Sequence, residues 1–186
     1  MIRSSFLIAL PLALVACGKS EEPPAAEATQ ASAPLEQRLA GARLVVDANG
    51  LAAKGEEGLR FGASRAEVDG LAETAFGATG ETSRNEECGA GPMEFSQYGP
   101  LQVAYQDGNF AGWFLRAGEG VVTSDGIAPG TTPLEALQLE RQVQQLDTTL
   151  DGEFQYTTAD YGTITGFAKP DGTITALQAG VSCFFR

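Results

Sequence analysis

The chain has 186 residues, a formal net charge of −12 and no histidine. The acidic balance excludes a nucleic-acid binder, whose contacts to phosphate need a basic patch, and it disfavours flat adsorption on anionic headgroups. The missing histidine removes the commonest general base and metal ligand, and with them any Ser-His-Asp or Cys-His site. With 43% hydrophobic residues and a mean hydropathy of −0.08 the bulk of the chain reads as globular and soluble.

Met1-Ile2-Arg3 precedes a short apolar run, Phe6 to Ala16, which ends at Cys17. One basic residue ahead of an apolar run shorter than the roughly 20 residues a bilayer requires is signal-peptide chemistry. Leu14-Val15-Ala16-Cys17 resembles the lipobox of bacterial lipoproteins. The resemblance implies a signal peptide over 1–16, lipidation of Cys17, and a mature chain of charge −13 once Arg3 is removed from the total of −12. Gly18, where an aspartate would favour retention in the inner membrane, points to the outer membrane facing the periplasm.

Residues 17–35 are rich in Ala, Pro, Ser and Glu and cannot bury enough apolar surface to offset their ordering entropy. They are expected to form a tether of reach about 25 Å as a coil and up to roughly 55 Å extended. A globular α+β domain is expected over 36–186. In it, Arg43 to Asp47 is a short β run closed by the turn Ala48-Asn49-Gly50, and Lys54 to Gly58 is a polar break. Ser64-Arg65-Ala66-Glu67 is a capping box, followed by Val68, Leu71, Ala72 and Ala75 at helical spacing and by Gly77 as a stop. Three β runs follow, at Met93 to Tyr98, Leu101 to Tyr105 and Phe110 to Leu115, separated by Tyr98-Gly99-Pro100 and Asp107-Gly108-Asn109.

The second half repeats the plan. Thr132-Pro133-Leu134-Glu135 predicts a second capped helix, with Ala136, Leu139, Val143 and Leu146 on one face. Strands are expected at Phe154 to Thr157, Thr163 to Ala168, Thr173 to Leu177 and Val181 to Phe185, with Pro170-Asp171-Gly172 as a hairpin turn. Aligning Gly62 with Gly130, Tyr98 with Tyr161 and Asp107 with Asp171 suggests two repeat units, 58–116 and 126–186, each a helix followed by an antiparallel meander that covers it. That layout resembles the β-lactamase-inhibitor-protein-like architecture, single units of which occur in small outer-membrane-assembly lipoproteins. The run Asn85 to Pro92 and the ending Ser182 to Arg186 resemble an uncharacterised family of exported bacterial proteins, which implies no activity.

Catalytic motifs are not apparent. Glu86 and Glu87 are adjacent rather than set across a cleft. Asp147 to Gly152 echoes the start of a calcium loop, but Thr158 stands where the closing glutamate belongs. Gly89-Ala90-Gly91 lacks the Gly-Lys-Ser/Thr of a phosphate loop. Neither cofactor nor metal is expected. Lipidation of Cys17 would leave Cys88 and Cys183, which an oxidising compartment should pair. The aromatic run places Phe110, Trp113 and Phe114 as candidate contacts to a partner protein, with core packing as the alternative. The functional expectation is a non-enzymatic, protein-binding or scaffold lipoprotein of the cell envelope. The runner-up is an inhibitor of a periplasmic or secreted enzyme, and third comes an enzyme with an unrecognised carboxylate site.

Overall fold

The computed structural model describes residues 33–160, 162–181 and 183; the expected signal segment, Cys17 and most of the expected tether lie outside them. The chain is mostly β, 42% strand against 15% helix, in two sheets. Helix α1 (Leu35–Arg38) leads into strands β1 (Leu44–Asp47), β2 (Gly50–Ala53) and β3 (Leu59–Arg60). Then come α2 (Arg65–Phe76), β4 (Glu81–Asn85), β5 (Met93–Tyr98), β6 (Leu101–Gln106), β7 (Asn109–Arg116) and β8 (Val121–Thr123). The chain continues through α3 (Leu134–Glu140), β9 (Val143–Gln145), β10 (Glu153–Thr157), β11 (Thr163–Ala168) and β12 (Ile174–Gly180). One sheet has four strands in the order β3-β2-β1-β8, the other eight in the order β4-β5-β6-β7-β12-β11-β10-β9. Every pairing in the larger sheet is antiparallel, whereas β8 joins β1 in parallel.

Helix α2 begins where its capping chemistry dictates. The Glu67 amide donates to Ser64 Oγ (3.4 Å), and the Ser64 amide donates back to the Glu67 carboxylate (3.0 Å). It ends at Gly77, whose left-handed φ of +69° lets its N–H reach the Glu73 carbonyl. Removing the cap with Ser64→Ala is expected to cost about 1 kcal/mol; equilibrium urea unfolding measures it, and an unchanged midpoint would show that the cap is idle.

Two expectations for the second helix need correction. Thr132 is not its cap: α3 starts after an extended Pro133 with no side-chain cap, and Thr132 Oγ1 instead accepts from the Ala128 amide at 3.2 Å. The helix is also shorter. Arg141 is already extended (φ −136°, ψ 156°), Leu139 is 84% exposed, and Val143 pairs with Tyr156 in β9 rather than extending a helical face. Sheet hydrogen bonding on the β10 edge overrides a periodicity that seven helical residues cannot bury. At the other end of the chain, β12 stops at Gly180, so Val181 and Cys183 lie outside it; Ser182, Phe184 and Phe185 of the strand expected at Val181 to Phe185 lie outside the described residues.

The two sheets share one core. Leu44, Val46, Leu51 and Val121 of the small sheet cluster with Val68 and Ala72 of α2 and with Leu101, Val103, Trp113, Leu115, Ile164 and Leu177 of the large one. Trp113, 2% exposed, joins the layers directly by donating from Nε1 to the Asp47 carbonyl at 2.7 Å. Gly166 lies between Phe154 and Leu177 in register, and a Cβ there would come within 2.3 Å of Phe154 Cζ, so the missing side chain makes room for the ring. A polar clamp also ties α2 to the sheet: the Tyr98 and Tyr105 hydroxyls both donate to Asp69 Oδ1, at 2.9 and 2.6 Å, and Arg65 bridges Asp69 and Glu94. Burial pushes the Asp69 carboxyl up, but hydrogen bonds from Tyr105, Arg65, Ser96 and Tyr98 outweigh it and hold the group below the usual carboxylate range.

Candidate functional site

In an antiparallel sheet, residues directly opposite one another project on the same side. Following the register of the large sheet, one rank crosses all eight strands: Glu81, Gln97, Gln102, Phe114, Gln178, Thr165, Gln155 and Gln144. Five of its eight members are glutamines. The alternate rank, through Val103, Trp113 and Ala179 on one side and Ile164 and Tyr156 on the other, belongs to the core. The amide rank therefore lies on the face of the sheet turned away from the shared core.

Two flanking ranks complete this open face. One runs Ser83, Phe95, Ala104, Gly112, Gly180; the other runs Arg116, Ala176, Phe167, Glu153. Across all three, the charged residues are Glu81, Arg116 and Glu153, the last only 1% exposed and accepting a hydrogen bond from Thr148 at 2.6 Å. For a chain of net charge −12 this is a charge-poor surface. At its centre Phe114 and Phe167 approach across β12 with ring centroids 6.4 Å apart, and the Arg116 guanidinium lies 4.8 Å over Phe114. Beneath them Gln178 is 4% exposed, and its Oε1 has no hydrogen-bond partner among the described residues. A cleft of about 320 Å³ opens beside Phe114, lined by Ser83, Asn85, Phe95, Gln102 and Arg116 and closed on one side by Val181 and Cys183.

The disulfide frames that cleft. Cys88 and Cys183 are bonded, with Cα atoms 4.7 Å apart and a sequence separation of 95. The bond draws the segment after β12 to the loop after β4, and Met93, Phe95, Ala104, Ala111 and Val181 form a second small apolar cluster around it.

The candidate aromatic contacts separate by face. Phe110 and Trp113 are 1% and 2% exposed and belong to the core, so the expectation of a partner contact narrows to Phe114, which is half-buried on the open face. Periodicity alone does not settle this, because β7 carries a register shift opposite Ala104/Tyr105 that breaks strict alternation. Phe167, Arg116 and the glutamine rank are not evident from the sequence. The signal of the rank is a glutamine in each of β5, β6, β9, β10 and β12, which becomes a surface only once the order of eight strands is known. Glu86 and Glu87 are exposed on the loop, with Glu86 ion-paired to Arg84 at 2.6 Å. Among the described residues no group of three or more acidic or cysteine side chains is placed to hold a metal, and no helix is long and apolar enough to cross a membrane. No protein-family model matches the sequence, and no curated protein or solved structure is significantly similar to it.

Proposed function

We propose that this protein is a non-enzymatic lipoprotein of the cell envelope, anchored through Cys17 and its tether and facing the periplasm from the outer membrane, that binds a partner protein with the open face of its eight-stranded sheet. The observation that carries the reading is the charge-poor amide rank with Phe114, Phe167 and Arg116 at its centre. Interface cores are depleted of charge and enriched in aromatics and arginine, and a few such side chains near the centre supply most of the binding energy. An inhibitor of a periplasmic or secreted enzyme is the second reading. It would use the same face, with the cleft beside Phe114 receiving a projecting loop of the target.

In this reading the face is built from two tandem units, 58–116 and 126–186, each a helix covering one half of the sheet. Matched hydrogen bonds support the duplication. The Gly62 amide donates to the Phe110 carbonyl and the Gly130 amide to that of Ile174, both at 2.8 Å. The Arg65 amide donates to Gly108 at 2.9 Å and the Leu134 amide to Gly172 at 2.8 Å. Each pair ties the start of a helix to the last hairpin of its own meander. The final strands, β7 and β12, then meet in the middle of the sheet.

The anchor is tested by fractionation. Wild-type protein is expected in the outer-membrane fraction with a diacylglyceryl group on Cys17, and Cys17→Ser in the soluble periplasm or retained as precursor. Wild type that keeps its first 16 residues, or carries no lipid, would end the lipoprotein reading.

A further inference from the structure

The charge of this chain is unevenly distributed. Residues 33–65 carry five basic side chains, Arg38, Arg43, Lys54, Arg60 and Arg65, against four acidic ones, whereas residues 66–183 carry four basic against seventeen acidic. The near-neutral segment builds α1 and three of the four strands of the small sheet, the region where the tether joins the domain. Arg38 and Arg65 are committed to ion pairs with Glu140, and with Asp69 and Glu94. Arg43, Lys54 and Arg60 enter no ion pair among the described residues.

Two of those three cations share a groove of about 530 Å³ between β2 and α2. Arg43 and Lys54 line it together with small and apolar residues, Ala53, Gly70, Leu71 and Ala75, the Thr74 hydroxyl and a single acid, Glu56. The Lys54 ammonium also donates to the Ala40 carbonyl at 3.1 Å, which fixes it beside the segment leaving α1 and so beside the end of the tether. We propose that this groove is a site for the anionic headgroup of a membrane lipid, and that it seats the tethered domain with its small sheet against the bilayer. The inference rests on the lipoprotein reading, because the tether is what makes a two-cation site sufficient. Each cation near an anionic leaflet contributes about a fivefold gain in affinity, and tethering replaces a bimolecular encounter with a high local concentration. Acidic side chains farther than about 8 Å from the bilayer are screened at physiological salt, so only those at the groove, Glu56 first among them, subtract from this gain. Seated in this way, the opposite pole of the molecule, with the open sheet face, is left free for a partner.

The test uses the full lipidated protein in nanodiscs of phosphatidylcholine, with and without phosphatidylglycerol, read by amide hydrogen exchange. Amides of 53–58 and 70–76 are expected to exchange about fivefold more slowly in the anionic discs, and Arg43→Gln/Lys54→Gln to return them to the rate in neutral discs, with β6 amides unchanged as the control for folding. Lys54→Gln alone, in an exposed turn, should give part of the loss. Equal rates in both discs, or protection that survives the double substitution, would overturn the proposal. So would the same protection on adding inorganic phosphate to neutral discs, which would make the ligand a free phosphate. A chain that never enters the discs removes the lipoprotein reading and this inference with it; a chain that enters and shows no slowing removes the inference alone.

Discussion

Replacing Cys88 and Cys183 together with alanine is expected to lower the free energy of unfolding by about 4–5 kcal/mol. The bond spans 95 positions, so it removes a long loop from the unfolded ensemble. It is also the covalent tie holding the segment after β12 near the loop after β4, where Val181 and Cys183 close one side of the open-face cleft. The double variant should therefore lose stability and also expose the small cluster of Met93, Phe95 and Ala104. Equilibrium denaturation with and without reductant checks the first effect: wild type under reducing conditions should approach the variant, and the variant should not respond to reductant. Equal midpoints for wild type and variant would mean that the bond constrains nothing the fold does not already hold.

The second large effect is expected at Trp113. Its indole is 2% exposed in the shared core, and its Nε1 donates to the Asp47 carbonyl of β1. Trp113→Ala removes a large buried ring and leaves a cavity, for which about 3–5 kcal/mol is typical, and it also removes that hydrogen bond between the sheets. Trp113→Phe keeps most of the volume and loses the N–H, so the difference between the two variants separates packing from the polar tie. A thermal or urea midpoint unmoved by Trp113→Ala would contradict the assignment of this residue to the core. Phe114→Ala, one position along but on the open face, is expected to leave stability nearly unchanged.

That contrast between neighbours marks how much the sequence discloses. Helix α2 is legible because its signals are local: Ser64 and Glu67 for the start, Gly77 for the stop. The central strands are legible because Tyr98-Gly99-Pro100 and Asp107-Gly108-Asn109 punctuate apolar runs. The cysteine pairing is legible from the expectation that Cys17 is lipidated, which leaves Cys88 and Cys183 as the two thiols to pair. The misses are places where a distant partner decides. β4 is polar and exposed at every position, so no alternation announces it, and only pairing with β5 makes it a strand. β8 is three residues long and exists by lying parallel to β1, more than seventy positions earlier in the chain. Val143 fits a helical period in sequence, but β10 offers it ladder hydrogen bonds. The open face is the extreme case. Gln97, Gln102, Gln178, Gln155 and Gln144 are unremarkable one by one, and they become a surface only through the strand order β4-β5-β6-β7-β12-β11-β10-β9.

Whether this face, and not the helix-bearing side, meets a protein partner is tested by site-specific photo-crosslinking in intact envelopes. A benzophenone side chain at Gln102 or Thr165, both half-buried in the open rank, is compared with one at Glu73, partly exposed on α2. A discrete crosslinked species is expected from the two open-face positions and none from Glu73, with loss of that species when Phe114→Ala and Arg116→Ala are combined with either open-face probe. Crosslinks from Glu73 alone, or an open-face species indifferent to Phe114 and Arg116, would contradict binding by this face.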